Sequence, residues 1–282
     1  MPDMPRGKFT GSPVNSKLPH MDFARFKEMV GRAFRLDLNS YKETQLKRRL
    51  EAYITRRQLS GYDALFQKLQ SDRSFYESFL EYLTINVSEF FRDPQRFAEL
   101  EKVYLPQLLQ QKGRLKIWSA ACATGAEPYS MAIILEEMTP GRIHHLEATD
   151  IDQNILAKAK EGIYPPEAVR NVTPPRLARF FTREGNSYRI NETLRRRVTF
   201  RRHDLLSDPF GRDYDLILCR NVTIYFTREA QERLNARLAQ ALAPGGILFI
   251  GGSEMIFNYQ ELGLEKASIC FYRRLTGKGV GR

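Results

Sequence analysis

The sequence holds three cysteines, one tryptophan, four histidines and no long apolar run, and each shortage removes a class of protein. Cys122, Cys219 and Cys270 are scattered without metal-ligand spacing, and an odd number cannot all pair with one another. They read as buried, reduced thiols of a reducing compartment, and no metal is expected. No stretch approaches the roughly 20 apolar residues that cross a bilayer, and the N-terminus lacks the order of a signal peptide. A cytoplasmic protein without membrane insertion is therefore expected. There is also no G-x-G-x-x-G run, which argues against a pyrophosphate cradle for a dinucleotide.

What is present is 282 residues, 42% of them hydrophobic, enough for one large α/β domain with a small appendage. The net charge of +11 suits nucleic acid, an anionic membrane or an acidic protein partner, and composition does not choose among them. Much of the excess sits in two segments. Lys42 to Arg57 holds six basic residues against Glu43 and Glu51, and Arg189 to Arg202 holds six against Glu192. A basic run taken alone is more often a solvated face than a binding surface.

Residues 1–20, rich in Pro, Gly, Ser and Lys, read as a disordered leader or an expression remnant. Over residues 21–83 the apolar positions recur at helical spacing, for example Leu46, Leu50, Tyr53 and Ile54, which predicts an all-helical domain. Asp72 or Ser71 is a candidate cap for its last helix. Residues 84–111 form a linker and one connecting helix, Pro94 to Gln111. Over residues 112–282 strands alternate with helices, which predicts a doubly wound parallel sheet of the Rossmann-like kind. The strands drawn are Leu115–Trp118, His145–Thr149, Val198–Arg201, Leu216–Cys219 and Ile247–Ile250, with Ile269–Leu275 returning antiparallel. Ala243-Pro244-Gly245-Gly246 reads as a turn delivering the fifth strand. An interruption over about 163–197, with a Gly185-Asn186 turn, predicts a small β subdomain.

Five stretches carry chemistry. W-S-A-A-C-A-T-G-A-E-P-Y-S, Trp118 to Ser130, ends a strand, passes through small residues and opens a helix near Glu127, a place for a nucleotide-like ligand. Taken alone, such a loop is ordinary α/β architecture. A-T-D-I-D, Ala148 to Asp152, closes the second strand with Asp150, placed to accept ribose hydroxyls, whereas Asp152 reads as a helix cap. H-D-L-L, His203 to Leu206, offers Asp204 and nearby backbone to an adenine edge, or is a plain loop. D-L-I-L-C-R-N-V-T-I-Y-F, Asp215 to Phe226, spills Arg220, Asn221 and Tyr225 from the end of a strand, where open α/β sheets bind ligands. T-I-N-V-S-E-F-F-R-D, Thr84 to Asp93, embeds Asn86, Ser88 and Arg92 among apolar residues at the domain junction, either roofing a site or forming an ion pair.

In order and wording these stretches resemble the CheR chemotaxis methyltransferases, from about Asp22 to about Leu275. The resemblance implies S-adenosylmethionine as cofactor, contacted by Asn86, Ser88, Arg92, Glu127, Asp150, Asp204, Leu205, Arg220 and Asn221, with Arg92 and Tyr225 nearest the transferred methyl. It implies a glutamate carboxylate of a chemoreceptor's cytoplasmic helical domain as acceptor. Two departures stand out: Gly125-Ala126-Glu127 replaces the commoner Gly-Glu-Glu, and Asp204 stands where many relatives have Asn. Lys42, Arg49 and Arg56, seven residues apart, are expected to form a basic stripe that docks an acidic receptor helix. The resemblance implies that the β subdomain grips a receptor tail peptide in some members, and the loop around Glu184 to Ser187 is short beside theirs, so action independent of such a tail is expected. The rival reading is an RNA or DNA methyltransferase binding phosphates through the basic face. The chain has no N-P-P-Y or D-P-P-Y tetrapeptide and no cysteine placed to attack a base, so a nucleic-acid partner is not expected.

Overall fold

The computed structural model describes residues 21–276, so the expected leader lies outside the described residues. Four α-helices open the described residues: α1 (Phe23–Phe34), α2 (Glu43–Arg56), α3 (Tyr62–Ser71) and α4 (Arg73–Thr84). Each buries one apolar stripe, such as Phe26 and Val30 of α1, Leu46, Leu50 and Tyr53 of α2, and Phe79, Leu80 and Leu83 of α4. Asp72 caps α4 by accepting the Phe75 N–H at 3.0 Å. The helix ends at Ile85, whose φ of 48° is a left-handed conformation that a β-branched residue rarely adopts.

The expected helix over 94–111 is three pieces: α5 (Pro94–Glu99), a π-helical turn (Leu100–Tyr104) and α6 (Leu105–Gln111). Pro106 explains the break. Its ring has no N–H to donate and crowds the preceding turn, and the wider turn, in which the Leu105 N–H reaches the Leu100 carbonyl, makes room for it.

The sheet strands are β1 (Lys116–Ala120), β2 (His145–Asp150), β6 (Val198–Arg202), β7 (Tyr214–Cys219), β8 (Leu242–Ile250), β9 (Leu264–Lys266) and β10 (Phe271–Arg274), after β3 (Ile163–Tyr164), β4 (Phe181–Glu184) and β5 (Ser187–Ile190) are set apart. Their order is β6-β2-β1-β7-β8-β10-β9. The first five run parallel, and β10 is antiparallel to both β8 and β9. Alternate residues divide the two faces: Ile117, Leu216, Leu218 and Phe249 join one core, while Trp118, Ile217, Cys219 and Leu248 join the other. Helix α7 (Ala126–Met138) covers the first face, and α11 (Arg228–Ala241) the second. Helix α8 (Gln153–Glu161) connects β2 to the small three-stranded sheet β3-β5-β4, in which α9 (Pro174–Phe180) links β3 to β4 and after which α10 (Glu192–Arg195) follows in sequence.

Two strand expectations change. The run Ala243 to Gly246 is not a turn before the fifth strand but a bulge within β8, because Leu242 already pairs with Tyr214 before the register slips to Leu216 opposite Ile247. Gly245 takes the positive φ of 78°, and a Cβ at Gly246 would come within 2.8 Å of the Tyr214 carbonyl. The short β9 edge strand was not expected at all.

The helical domain is stitched to the sheet domain by backbone. Tyr41 and Phe226 form an antiparallel bridge, with the Lys42 N–H donating to the Tyr225 carbonyl at 2.9 Å and the Thr227 N–H to the Ser40 carbonyl at 2.8 Å. Glu81 of α4 also pairs with Lys158 of α8.

Candidate active site

At the carboxyl ends of β1, β2 and β7 lies a cavity of about 260 Å³, roofed by the strap Thr84–Asn86 and Arg92. Its floor is the loop after β1, where Ala121 and Ala123 hold φ of 60° and 47° and Gly125 one of 82°. The loop is pressed onto its neighbours: a Cβ on Gly125 would stand 2.9 Å from the Ala159 Cβ and 3.1 Å from the Phe200 ring. Left-handed backbone at non-glycine residues costs about 1–3 kcal/mol each and persists where the surroundings dictate it. Ile85, Ala121, Ala123 and Asn221 hold such conformations and all line this cavity.

Carboxylates hold the loops in place. Asp150, 6% exposed, accepts the Ala123 N–H at 2.9 Å and the Asp152 N–H at 3.1 Å. Burial pushes its carboxyl up to about 6, against the backbone donors that favour the anion. Asp152 caps α8 by accepting from Asn154 and Ile155, as its spacing implied, and its second oxygen accepts from the Asn86 amide at 3.1 Å. The strap is thereby tied to the end of β2. Asp204 accepts from the Leu206 N–H at 2.9 Å and the Ser207 hydroxyl at 3.0 Å, so its carboxylate folds its own turn while it borders the cavity.

Arg220 is the buried cation of the site, with its side chain 2% exposed. It donates to Asp93 at 2.6 Å, to the Arg92 carbonyl at 2.9 Å and to Glu127 at 3.3 Å, and lies 4.4 Å from the Phe249 ring centroid. Burial raises the Glu127 carboxyl above its usual range, and Arg220 and the Ser119 hydroxyl, 2.7 Å away, work against that rise.

Of the expected cofactor and catalytic residues, Asn86, Arg92, Asp150, Asp204, Leu205, Arg220, Asn221 and Tyr225 line one cavity. Ser88 and Glu127 do not: Ser88 is half-buried further along the strap, and Glu127 stands behind Arg220. A second cavity of about 400 Å³ abuts the first and shares Tyr41, Leu83, Ile85 and Tyr225 with it. Lys42, Gln45, Arg48 and Arg49 supply its polar wall. The expected stripe is therefore uneven. Lys42 and Arg56 are exposed, Arg56 lies off this wall, and Arg49 is half-buried, bonded to the Tyr82 carbonyl with its guanidinium 4.5 Å from the Tyr82 ring centroid.

The sequence reading missed four residues. Tyr41, from the helical domain, lines both cavities, and burial, with Asp204 and Asp150 nearby, raises its hydroxyl well above the usual range. His203 lines the first; its Nε2 lies 3.2 Å from the Pro209 carbonyl, which can only accept, so that nitrogen carries the proton. Asp93 completes the Arg220 pair, and Glu254 braces the loop after β7. Glu254, an acid just past the fifth strand in G-G-S-E, had a local signal, and His203 and Asp93 stand at the ends of two stretches already singled out, whereas Tyr41 had none.

The buried acid at the end of β2, the crowded glycine loop and the wall formed by the His203 ring and apolar Leu205 fit a nucleoside-bearing cofactor. Comparison with known proteins agrees. The family model for the CheR methyltransferase SAM-binding domain matches residues 86–269, and that for the CheR all-alpha domain matches residues 21–84. A chemotaxis protein methyltransferase of Listeria monocytogenes is 40% identical over 252 residues, 89% of this chain and 96% of the relative. Chemotaxis protein methyltransferase 1 of Pseudomonas aeruginosa is 33% identical, covering 85% of this chain and 92% of its own. A probable chemotaxis protein methyltransferase of Rhizobium etli is 34% identical, covering 87% and 96%.

Proposed function

The chain belongs to the CheR methyltransferase family, an S-adenosylmethionine-dependent group, and from that premise we propose that it esterifies glutamate side chains of chemoreceptors. The observation that carries the reading is the shared wall: a cavity with a buried ribose-type acid opens, past Tyr41 and Tyr225, onto a cationic groove on α2. S-adenosylmethionine, when bound, supplies a methyl made electrophilic by its sulfonium. A glutamate acceptor is already ionised at neutral pH, so the protein needs no general base and its task is alignment and exclusion of water.

In this reading Asp150 receives the ribose hydroxyls, and Asp204 and Leu205 border the base. Arg220 does not face the acceptor. Its charge is absorbed by Asp93 and Glu127, and it locks the strap over the cofactor. Arg92 and the Tyr225 hydroxyl orient the incoming carboxylate, and the exposed Lys42 and Arg56 draw in an acidic helix. The β4–β5 hairpin turns through Gly185 and Asn186 alone, in keeping with action on receptors without a tail peptide. Among the described residues no helix is long and apolar enough to cross a membrane.

The test is incubation with tritiated S-adenosylmethionine and receptor cytoplasmic fragments, with and without their C-terminal tails. Label released as methanol by mild base is the expected result. Base-stable label on RNA or DNA would overturn the reading.

A further inference from the structure

Beyond β8 the chain runs through Gly251, Gly252 and Ser253 into Glu254, whose side chain turns back into the fold and leaves the residue 9% exposed. One carboxylate oxygen accepts the N–H groups of Gly251 at 2.7 Å and Asn221 at 2.8 Å. The other accepts the N–H groups of Val222 at 3.0 Å and Thr223 at 2.8 Å, and the Thr223 hydroxyl at 2.7 Å. No cation pairs with Glu254 among the described residues, so these five donors are its whole compensation for leaving water.

The three successive amides belong to the loop that carries Asn221 and, through the short helical turn Thr223–Tyr225, Tyr225. Asn221 has a φ of 59°, which points its N–H and those of its two successors at one acceptor, a concave arrangement that ordinarily captures an anion. Here the anion is internal. The fit allows no side chain at Gly251, where a Cβ would lie 2.7 Å from the Glu254 carboxylate and 2.9 Å from the Asn221 nitrogen. Glu254 lines neither of the two adjoining cavities.

We propose that Glu254 is a positioning residue for methyl transfer, its carboxylate setting the backbone of Asn221–Thr223 and hence the aim of Asn221 and Tyr225. This inference rests on the cofactor-and-acceptor reading of the two cavities. Glutamine at this position keeps one acceptor oxygen but turns an NH2 toward two backbone N–H groups, so E254Q removes the clamp while nearly preserving volume.

The experiment measures S-adenosylhomocysteine affinity by calorimetry, kcat and KM on a receptor fragment, and melting temperature, for wild type, E254Q, T223V and N191A. Asn191 caps α10 by accepting the Leu194 N–H at 3.0 Å, away from both cavities, and N191A serves as a control for lost stability alone. For E254Q a roughly tenfold weaker S-adenosylhomocysteine affinity and a roughly 100-fold lower kcat are expected, with T223V losing several-fold in kcat and N191A only melting earlier. Wild-type kcat and affinity in a folded E254Q would overturn the inference. If E254Q does not fold, T223V decides, and wild-type kcat there overturns it equally. A wild-type protein that binds no S-adenosylhomocysteine would instead sink the underlying reading of the cavity.

Discussion

The two adjoining cavities are built on opposite plans. The inner one is walled by backbone: left-handed residues at Ile85, Ala121, Ala123 and Asn221, and carboxylates at Asp150 and Asp204 that each hold main-chain N–H groups, with Glu254 bracing the Asn221 loop from outside the lining. The outer one is walled by long side chains, Lys42 just ahead of α2 and Gln45, Arg48 and Arg49 on it. Backbone walls fix one ligand shape at a cost already met in folding, whereas mobile surface charges accept varied partners and are screened by salt. Under the proposed function the inner plan suits the cofactor and the outer plan the protein acceptor.

The sharpest way to break this contrast is to remove the buried cation that joins the strap to the sheet. Arg220→Ala leaves Glu127 buried without its partner, and a loss of about 3–5 kcal/mol in urea unfolding is expected together with loss of turnover. Arg92→Ala probes the boundary between the cavities. Turnover should fall about 100-fold while S-adenosylhomocysteine affinity stays within a few-fold, and a variant with full turnover would remove Arg92 from the reaction.

Asp150→Asn tests whether the inner wall discriminates by charge. In the ligand-free protein its carboxyl stays protonated up to about 6, above the usual range of an unfolded chain, so the stability it contributes declines as pH rises from about 4 to about 6. Ribose hydroxyls need the ionised form as acceptor, so the opposite slope is expected for binding. S-adenosylhomocysteine affinity should weaken as pH drops below about 6, by up to about tenfold per unit, and Asp150→Asn should bind weakly with that pH dependence gone. Calorimetry from pH 5 to 8 measures it. The smallest effect belongs to the exposed charges at and beside the outer wall. Charge reversal at Lys42 and Arg56 should raise the receptor KM by only a few-fold and flatten its salt dependence, leaving cofactor affinity alone. Arg49 is the poorer probe, because its reversal also strips a hydrogen bond from the Tyr82 carbonyl.

The contrast also explains what could be read from the chain. The parallel strands announce themselves because both their faces are buried, and Asp150 and Arg220 follow from standing at strand ends. The cap at Asp152 is local, and its spacing sufficed. Its second bond, to Asn86 across 66 residues, is tertiary and left no mark on either neighbourhood. Arg49 shows the converse: seven-residue spacing puts it on a stripe with Lys42 and Arg56, yet Tyr82 of α4 takes it. Ala243 to Gly246 has turn chemistry, and only the pairing of Leu242 with Tyr214 makes it a bulge. Pro106 was legible as a helix disturbance and went unread.

The bridge between Tyr41 and Phe226 has one more consequence. The amides of Lys42 and Thr227 are the rungs joining the two domains, so each can trade its proton for deuterium only when the domains part. Exchange at these two positions therefore reports how firmly the helical domain is held against the sheet domain beside the inner chamber.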